Sequence, residues 1–349
     1  MGQAKKKIRI LSLDGGGIRG IIPGIILSYL EDELKKKTGN QNATIGQYFD
    51  FMAGTSTGGI LSLVYLCPDR HGNFKYGARD ALSMYIDLGN DIFDLSLQKQ
   101  MQSLAGLIDE KYSESELENI LAQFLQEIKL SQALKPCLIT SYDIRNRKSF
   151  FFTSADADSN VYDFLMRDVA RATSAAPTYF EAARIKSLFG SPYALVDGGV
   201  FANNPSLCAY AEVRGIDFGT VLNDPDKPNK PSAKDMLMVS IGTGSVKRPY
   251  TYKEYKDAGV IKWIKPLIDI MMSGNAETVD FQLRKIYETL SKKDCGDYYR
   301  IQPKLINSNP DMDKADAANI LALQEDGLLA VADHKVLLDE IVDKLIANE

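Results

Sequence analysis

The chain alternates short, largely apolar runs with glycine-rich turns and longer amphipathic stretches. Lys7 to Leu13 reads Lys-Ile-Arg-Ile-Leu-Ser-Leu, a strand composition, and runs directly into Asp14-Gly15-Gly16-Gly17-Ile18-Arg19-Gly20. Apolar residues at Ile22, Ile26, Leu30 and Leu34, with Pro23 in the first turn, predict a helix that Thr38-Gly39-Asn40 closes. The stretch Tyr48 to Leu66 then predicts a buried strand, a sharp turn at Gly54-Thr55-Ser56-Thr57-Gly58 and a buried helix.

Further along, Ala81 to Leu97 predicts a helix, and Ser113 to Leu125 predicts another that opens on a Ser-x-x-Glu capping box. Pro136 to Tyr142 and Lys148 to Thr153 predict paired strands around Arg145-Asn146-Arg147. Val161 to Ala172 predicts a helix that Pro177 brings to an end. Tyr193 to Val196 and Met236 to Ile241 predict two more strands, and Ala276 to Leu290, Ala315 to Ala332 and Asp333 to Ala347 predict helices. No internal repeat and no linker interrupts this order. Residues 1–349 are therefore expected to form one α/β domain with a helical C-terminal layer.

Composition narrows the picture. A formal charge of -5 gives the chain no general attraction to a nucleic acid polymer. Cys67, Cys137, Cys208 and Cys295 are far apart without a Cys-x-x-Cys pair, which points away from a zinc or redox motif and toward reduced thiols in a cytoplasmic protein. The N-terminus lacks a signal-peptide core, and no apolar run approaches the roughly 20 residues of a membrane span. Asp156-Ala157-Asp158-Ser159-Asn160 resembles the start of a calcium loop. However, Val161 stands where the turn glycine belongs and no glutamate closes it, so no metal site is expected there.

Candidate chemistry gathers at three strand ends. In Gly54-Thr55-Ser56-Thr57-Gly58 the turn lifts the Ser56 hydroxyl to a helix N-terminus, where unpaired N–H groups favour a developing oxyanion. Gly15, Gly16 and Gly17 let the backbone turn its amides toward a ligand, either an oxyanion or a phosphate, although the loop has neither a P-loop nor a dinucleotide spacing. Asp197-Gly198-Gly199 follows the strand at Tyr193 to Val196, and α/β sheets bind ligands at such carboxyl ends. A nucleophilic serine needs a base. The only histidines, His71 and His334, sit in contexts that mark neither as catalytic, so Asp197 is the better candidate provided that burial raises its pKa.

Taken in order, the Asp14 to Gly20, Gly54 to Gly58 and Asp197 to Gly199 motifs resemble the signature of the patatin-like phospholipases. Ala175-Ala176-Pro177-Thr178-Tyr179-Phe180 and Ser240-Ile241-Gly242-Thr243-Gly244 are also similar to segments of that family. The resemblance implies a three-layer α/β/α sandwich around a mainly parallel sheet. It implies a Ser56–Asp197 dyad with an oxyanion hole from Gly15, Gly16 and Gly17. On the mechanism this suggests, Thr57 is expected to join that hole, while Arg19 orients the loop, meets a lipid phosphate or is simply a surface arginine bonding a carbonyl. The implied reaction is hydrolysis of fatty acyl esters of phospholipids or other acyl lipids through a covalent acyl-enzyme, without metal or organic cofactor. An acyltransferase or thioesterase using the same dyad stays open, as do a non-catalytic lipid-binding module and a bacterial effector switched on by a nucleotide or other small-molecule activator. With an acidic chain, transient contact with a membrane surface calls for local apolar or basic surface. Tyr250 to Met272, which holds the sole tryptophan, Trp263, is the candidate, with a partly buried helix on the sheet as the competing reading.

Overall fold

The computed structural model describes residues 6–92, 114–157, 159–246 and 249–349. In chain order it contains β1 (Ile8–Leu13), α1 (Ile21–Thr38), β2 (Phe51–Thr55), α2 (Thr57–Tyr65), α3 (Ala78–Ile92) and α4 (Glu114–Leu125). Then come β3 (Cys137–Asp143), β4 (Lys148–Thr153), α5 (Met166–Thr173), β5 (Ala183–Lys186), β6 (Pro192–Asp197), α6 (Gly199–Ala202), α7 (Ser206–Val213) and α8 (Phe218–Val221). The C-terminal part adds β7 (Met236–Ile241), α9 (Tyr252–Tyr255), α10 (Val260–Glu288), β8 (Tyr298–Ile301), α11 (Ala317–Asp333) and α12 (Lys335–Ala347). The Ser113 cap, Asp158 of the calcium-like stretch and the end of the helix expected to reach Leu97 lie outside the described residues.

The strands form one mixed eight-stranded sheet in the order β5-β6-β3-β2-β1-β7-β8, with β4 also paired to β3. Strands β1, β2, β3, β7 and β8 run parallel, and the β4, β5 and β6 pairings are antiparallel. Because β1 is covered on both faces, it reads as a nearly continuous apolar run rather than an alternation with polar residues. Leu11 and Leu13 enter the larger core, with residues of α1, α2, α3, α11 and α12. Ile8 and Ile10 enter the second core, with Ala209 and Val213 of α7 and Val279, Leu283 and Tyr287 of α10. The result is a sheet between two helical layers, as the resemblance implies.

One feature of the register sets the site. β4 pairs along β3 from Leu138 to Asp143, so the opposite edge of β3 is shared by two strands. β2 occupies its first half, ending with Thr55 opposite Thr140. β6 runs the other way and ends with Asp197 opposite Ser141. The carboxyl ends of β2 and β6 therefore meet head-on at the middle of one edge.

Two expected elements differ. The helix expected from Val161 begins only at Met166, because the preceding residues are drawn into tertiary hydrogen bonds: Leu130 N–H donates to Phe164 O at 2.8 Å and Met166 N–H to Ile128 O at 2.7 Å. The apolar stretch around Trp263 and the helix expected from Ala276 are one continuous 29-residue helix, α10, with Pro266 inside it.

The end of the sheet away from the site is held by charge. Asp50, 1% exposed, accepts from Arg9 N at 2.9 Å, Arg9 Nε at 3.0 Å, Arg9 Nη2 at 2.9 Å and Lys227 Nζ at 2.6 Å. Burial alone would push the Asp50 carboxyl up, yet Arg9 and Lys227 hold it below its ordinary value. Arg9 Nη1 also donates to Leu345 O and Lys227 Nζ to Asn348 O, which ties the C-terminal helix to this cluster. Asp50→Asn should lower stability by about 3–5 kcal/mol at pH 7, because two buried cations lose their counter-charge. Urea unfolding measures this. The wild-type advantage should fade as pH falls through the unfolded-state aspartate range and below, where the depressed carboxyl is finally protonated.

Candidate active site

The β2–α2 turn forces the chain to reverse within a few residues. A side chain at Gly54 would begin 2.3 Å from the carbonyl oxygen of Gly58, and one at Gly58 would begin 2.2 Å from that of Leu13. Ser56 itself sits at φ 53°, ψ -123°, a conformation that costs an L-residue on the order of 1–3 kcal/mol. Hydrogen bonds to three other elements hold it there. Ser56 N–H donates to Thr173 Oγ1 at 2.8 Å, and Thr173 Oγ1 donates to Thr140 O at 2.6 Å. Thr55 Oγ1 lies 2.7 Å from Thr140 Oγ1 and donates to Ala202 O at 2.6 Å. Ser56 also caps α2, so its hydroxyl stands beside the positive end of that helix.

Asp197 ends β6 and is 5% exposed. Its own N–H donates to Ala175 O at 2.9 Å, while the Gly199 N–H donates to its Oδ1 at 2.7 Å. Gly198 lacks a side chain because Thr140 Oγ1 occupies that space, 2.1 Å from where one would begin. Burial pushes the Asp197 carboxyl up to about 6, and hydrogen bonding from the Ser56 hydroxyl and the Gly199 amide offsets part of that rise. An ordinary aspartate is too acidic to take a proton from serine effectively; this one is poised near neutrality.

The glycine loop after β1 closes the third side, and most of its polar groups are committed. Gly15 N–H donates to Asn203 O at 3.1 Å, so that amide is turned away from any ligand. Thr243 Oγ1 donates to Gly15 O at 2.8 Å, and Arg19 Nε donates to Gly16 O at 3.3 Å. Gly17 has φ +58°, which favours glycine, and Met312 O lies 2.2 Å from where its side chain would begin. Among the described residues the N–H groups of Gly16 and Gly17 have no hydrogen-bond partner, and both residues line the pocket that holds Ser56 and Asp197. Thr57 lines it too, its hydroxyl bonded to Tyr85 at 2.5 Å.

That pocket has a cavity volume of about 120 Å³. Ile60, Leu117, Phe180, Ile268, Met271 and Met312 give it apolar walls, and Asp197 is the sole charged residue among the described residues lining it. Arg19 does not line it. Burial lowers the Arg19 pKa, and Asp269, Tyr179, Asp311 and Asp14 partly offset that loss. Neither histidine approaches the site. His71 is exposed beside Arg70, and His334 joins α11 to α12 with Nδ1 2.9 Å from Ala330 O.

Sequence reasoning brings together the right three strand ends but misses the residues that brace them. Thr140, Thr173, Thr243 and Arg300 carry no catalytic motif; Thr140 and Thr243 fall within stretches already singled out, Thr173 lies just past the expected helix end, and Arg300 lies in none. Arg300 lies 286 positions from its partner Asp14.

Comparison with known proteins identifies the family. The family model described as patatin-like phospholipase matches residues 11–209, a span that contains the glycine loop, Ser56 and Asp197. "Patatin-like protein 2" of Arabidopsis thaliana is 34% identical over 95% of this chain and 85% of its own length. "Patatin-like protein 1" of Oryza sativa subsp. indica is 32% identical over 93% and 80%. The "Probable inactive patatin-3-Kuras 1" of Solanum tuberosum is 31% identical over 92% and 85%, so overall likeness alone does not decide activity. With a family model over more than half its length and relatives matched nearly end to end, the chain belongs to the patatin-like phospholipase family.

Proposed function

We propose that this protein is a lipid acyl hydrolase of phospholipase A type, with Ser56 as nucleophile and Asp197 as its base. The observation that carries the reading is a strained serine and a buried carboxyl of raised pKa lining the same, otherwise largely apolar pocket. The ionised Asp197 takes the Ser56 proton as Oγ attacks the ester carbonyl. The Gly16 and Gly17 amides, with the N-terminus of α2 at Thr57, stabilise the tetrahedral oxyanion. Asp197 returns its proton to the leaving alcohol, and the acyl group stays on Ser56. Water then attacks the acyl-enzyme with Asp197 again as base, and the fatty acid leaves. Arg19 serves as a strut for the loop rather than as a phosphate ligand, in keeping with its bond to Gly16 O and its place off the pocket lining. Asp197's second proton acceptance makes water and an added alcohol rival acceptors; product analysis with an alcohol present separates hydrolase from transferase.

Delivery of lipid falls to α10. Trp263, Leu267, Ile270 and Met271 recur at helical spacing and are 36%, 51%, 42% and 47% exposed, which supports a surface stripe over the core reading. The neighbouring Ile268 and Met272, and Met271 itself, line the pocket. One helix thus carries an exposed apolar stripe to the mouth of the site, suited to shallow contact with a lipid surface. No described helix is long and apolar enough to cross a membrane.

Three outcomes are expected. Ser56→Ala and Asp197→Asn should each lose most esterase activity, on the order of 10⁴–10⁶-fold for the serine. His71→Ala and His334→Ala should stay active; collapse of either while folded would call for a triad instead. Asp197→Asn should also be more stable than wild type at pH 8, by up to about 3 kcal/mol, since burying its charge opposes folding there. That gain should shrink as pH falls below the folded pKa, where wild type is itself neutral.

The pH profile follows the same group. kcat/KM on a soluble ester should rise through an apparent pKa near 6 and level off above it, because only ionised Asp197 can accept the serine proton. A profile flat from pH 4.5 to 8 would exclude Asp197 as base.

For the surface, Leu267→Glu paired with Ile270→Glu should cut hydrolysis of lipid vesicles at least tenfold and change turnover of a short soluble ester less than twofold. Equal loss on both substrates would assign this face to folding.

A further inference from the structure

Asp14 and Arg300 form a buried ion pair directly beneath the glycine loop. Arg300, on β8, donates from Nη1 to Asp14 Oδ1 at 2.8 Å and from Nη2 to Asp14 Oδ2 at 2.5 Å, a two-pronged grip on both carboxylate oxygens. The two side chains are 5% and 3% exposed. The second proton on each terminal nitrogen is spoken for as well: Nη1 donates to Ser240 Oγ and Nη2 to Gln302 Oε1, both at 2.8 Å. Gly242 is bare where these groups pack; a side chain there would begin 1.7 Å from Gln302 Oε1 and 3.0 Å from Arg300 Nη2. The network continues through Ser240 Oγ to Ser206 Oγ at 2.8 Å and on to Asn204 Oδ1 at 2.5 Å, in the turn that follows Asp197.

Stability alone is a poor reason for such a pair. Taking two charges out of water costs several kcal/mol per ion, and well-packed apolar residues of similar volume often serve folding as well or better. Burial pushes the Asp14 carboxyl up even with Arg300 opposing the rise, which shows how dry the location is. What the pair supplies is direction. Asp14 is the last residue before the loop with a side chain to anchor, and its N–H is bonded to Ile241 O at 3.1 Å. Beyond it, Gly15 and Gly16 are held through backbone groups alone, by Asn203 O, Thr243 Oγ1 and Arg19 Nε, so the direction in which the chain leaves Asp14 matters.

We infer that Arg300 is a positioning residue for the oxyanion loop: by fixing both oxygens of Asp14 it sets the orientation of the strand-to-loop joint from which the Gly16 and Gly17 amides are aimed. The inference rests on the acyl-hydrolase reading above and adds to it a brace on a strand that the family-model match, residues 11–209, does not reach.

The test uses the full chain, a short p-nitrophenyl ester and its thiono counterpart. A tight oxyanion hole favours oxygen over the larger, weaker acceptor sulfur, so the oxo/thiono ratio of kcat reports the aim of the amides. Arg300→Lys keeps the charge and loses the fork. It should lower kcat about 10–100-fold, leave KM within about twofold and shrink the oxo/thiono ratio at least fivefold, with its circular dichroism spectrum unchanged. Ser240→Ala removes one tether from the guanidinium and should show the same pattern at about 3–10-fold; it decides the matter if Arg300→Lys does not fold. A folded variant with wild-type kcat, or one whose kcat falls while the oxo/thiono ratio holds, overturns the inference. Full turnover in Ser56→Ala sinks the acyl-hydrolase reading itself, and the role of Arg300 falls with it.

Discussion

The edge of β3 is the constraint on which the site depends. Because β4 takes one side of that strand, β2 and β6 must share the other, and their opposite directions bring two carboxyl ends into contact. In a purely parallel sheet every carboxyl end lies side by side, separated by the spacing between strands. Here the antiparallel β6 lets Asp197 face the β2–α2 turn end to end. The proposed dyad is therefore a consequence of strand order, and no long side chain such as histidine is needed to span a gap.

The same geometry explains why the site can be dry and still keep its shape. Serine held at positive φ and aspartate held away from water are both unfavourable taken singly. They persist because threonines at positions 55, 140 and 173 satisfy one another and the backbone beneath them. On the other side, Thr243 and Arg19 take up the loop carbonyls, and Arg300 holds Asp14. Two amides are left over, and they border the apolar pocket. The far end of the sheet, where Asp50 binds Arg9 and Lys227, secures the frame without touching the chemistry.

Much of this was legible in the sequence, for physical reasons that differ by element. β1, β2 and β7 announce themselves because a strand buried on both faces is apolar for most of its length. The elbow is legible because Gly54 and Gly58 have contacts that admit no side chain. Edge strands β5 and β8 are only four residues long, too short for a pattern to stand out from the surrounding sequence. The start of α5 was misplaced because tertiary hydrogen bonds to residues 128–130 override local preference. Ser56 and Asp197 could be named from motifs, whereas Gly15 was expected to offer an amide that the structure gives to Asn203 O. The bracing residues Thr140 and Arg300 depend on pairings between distant strands, which no local window records.

The most direct test of the account is to trap the covalent intermediate. Rapid mixing with an activated acyl ester, acid quench and intact-mass analysis should show one acyl group added, and peptide mapping should place it on Ser56. Acylation of any other residue, or steady turnover with no acylated protein at any quench time, would contradict the nucleophile on which the proposed mechanism rests.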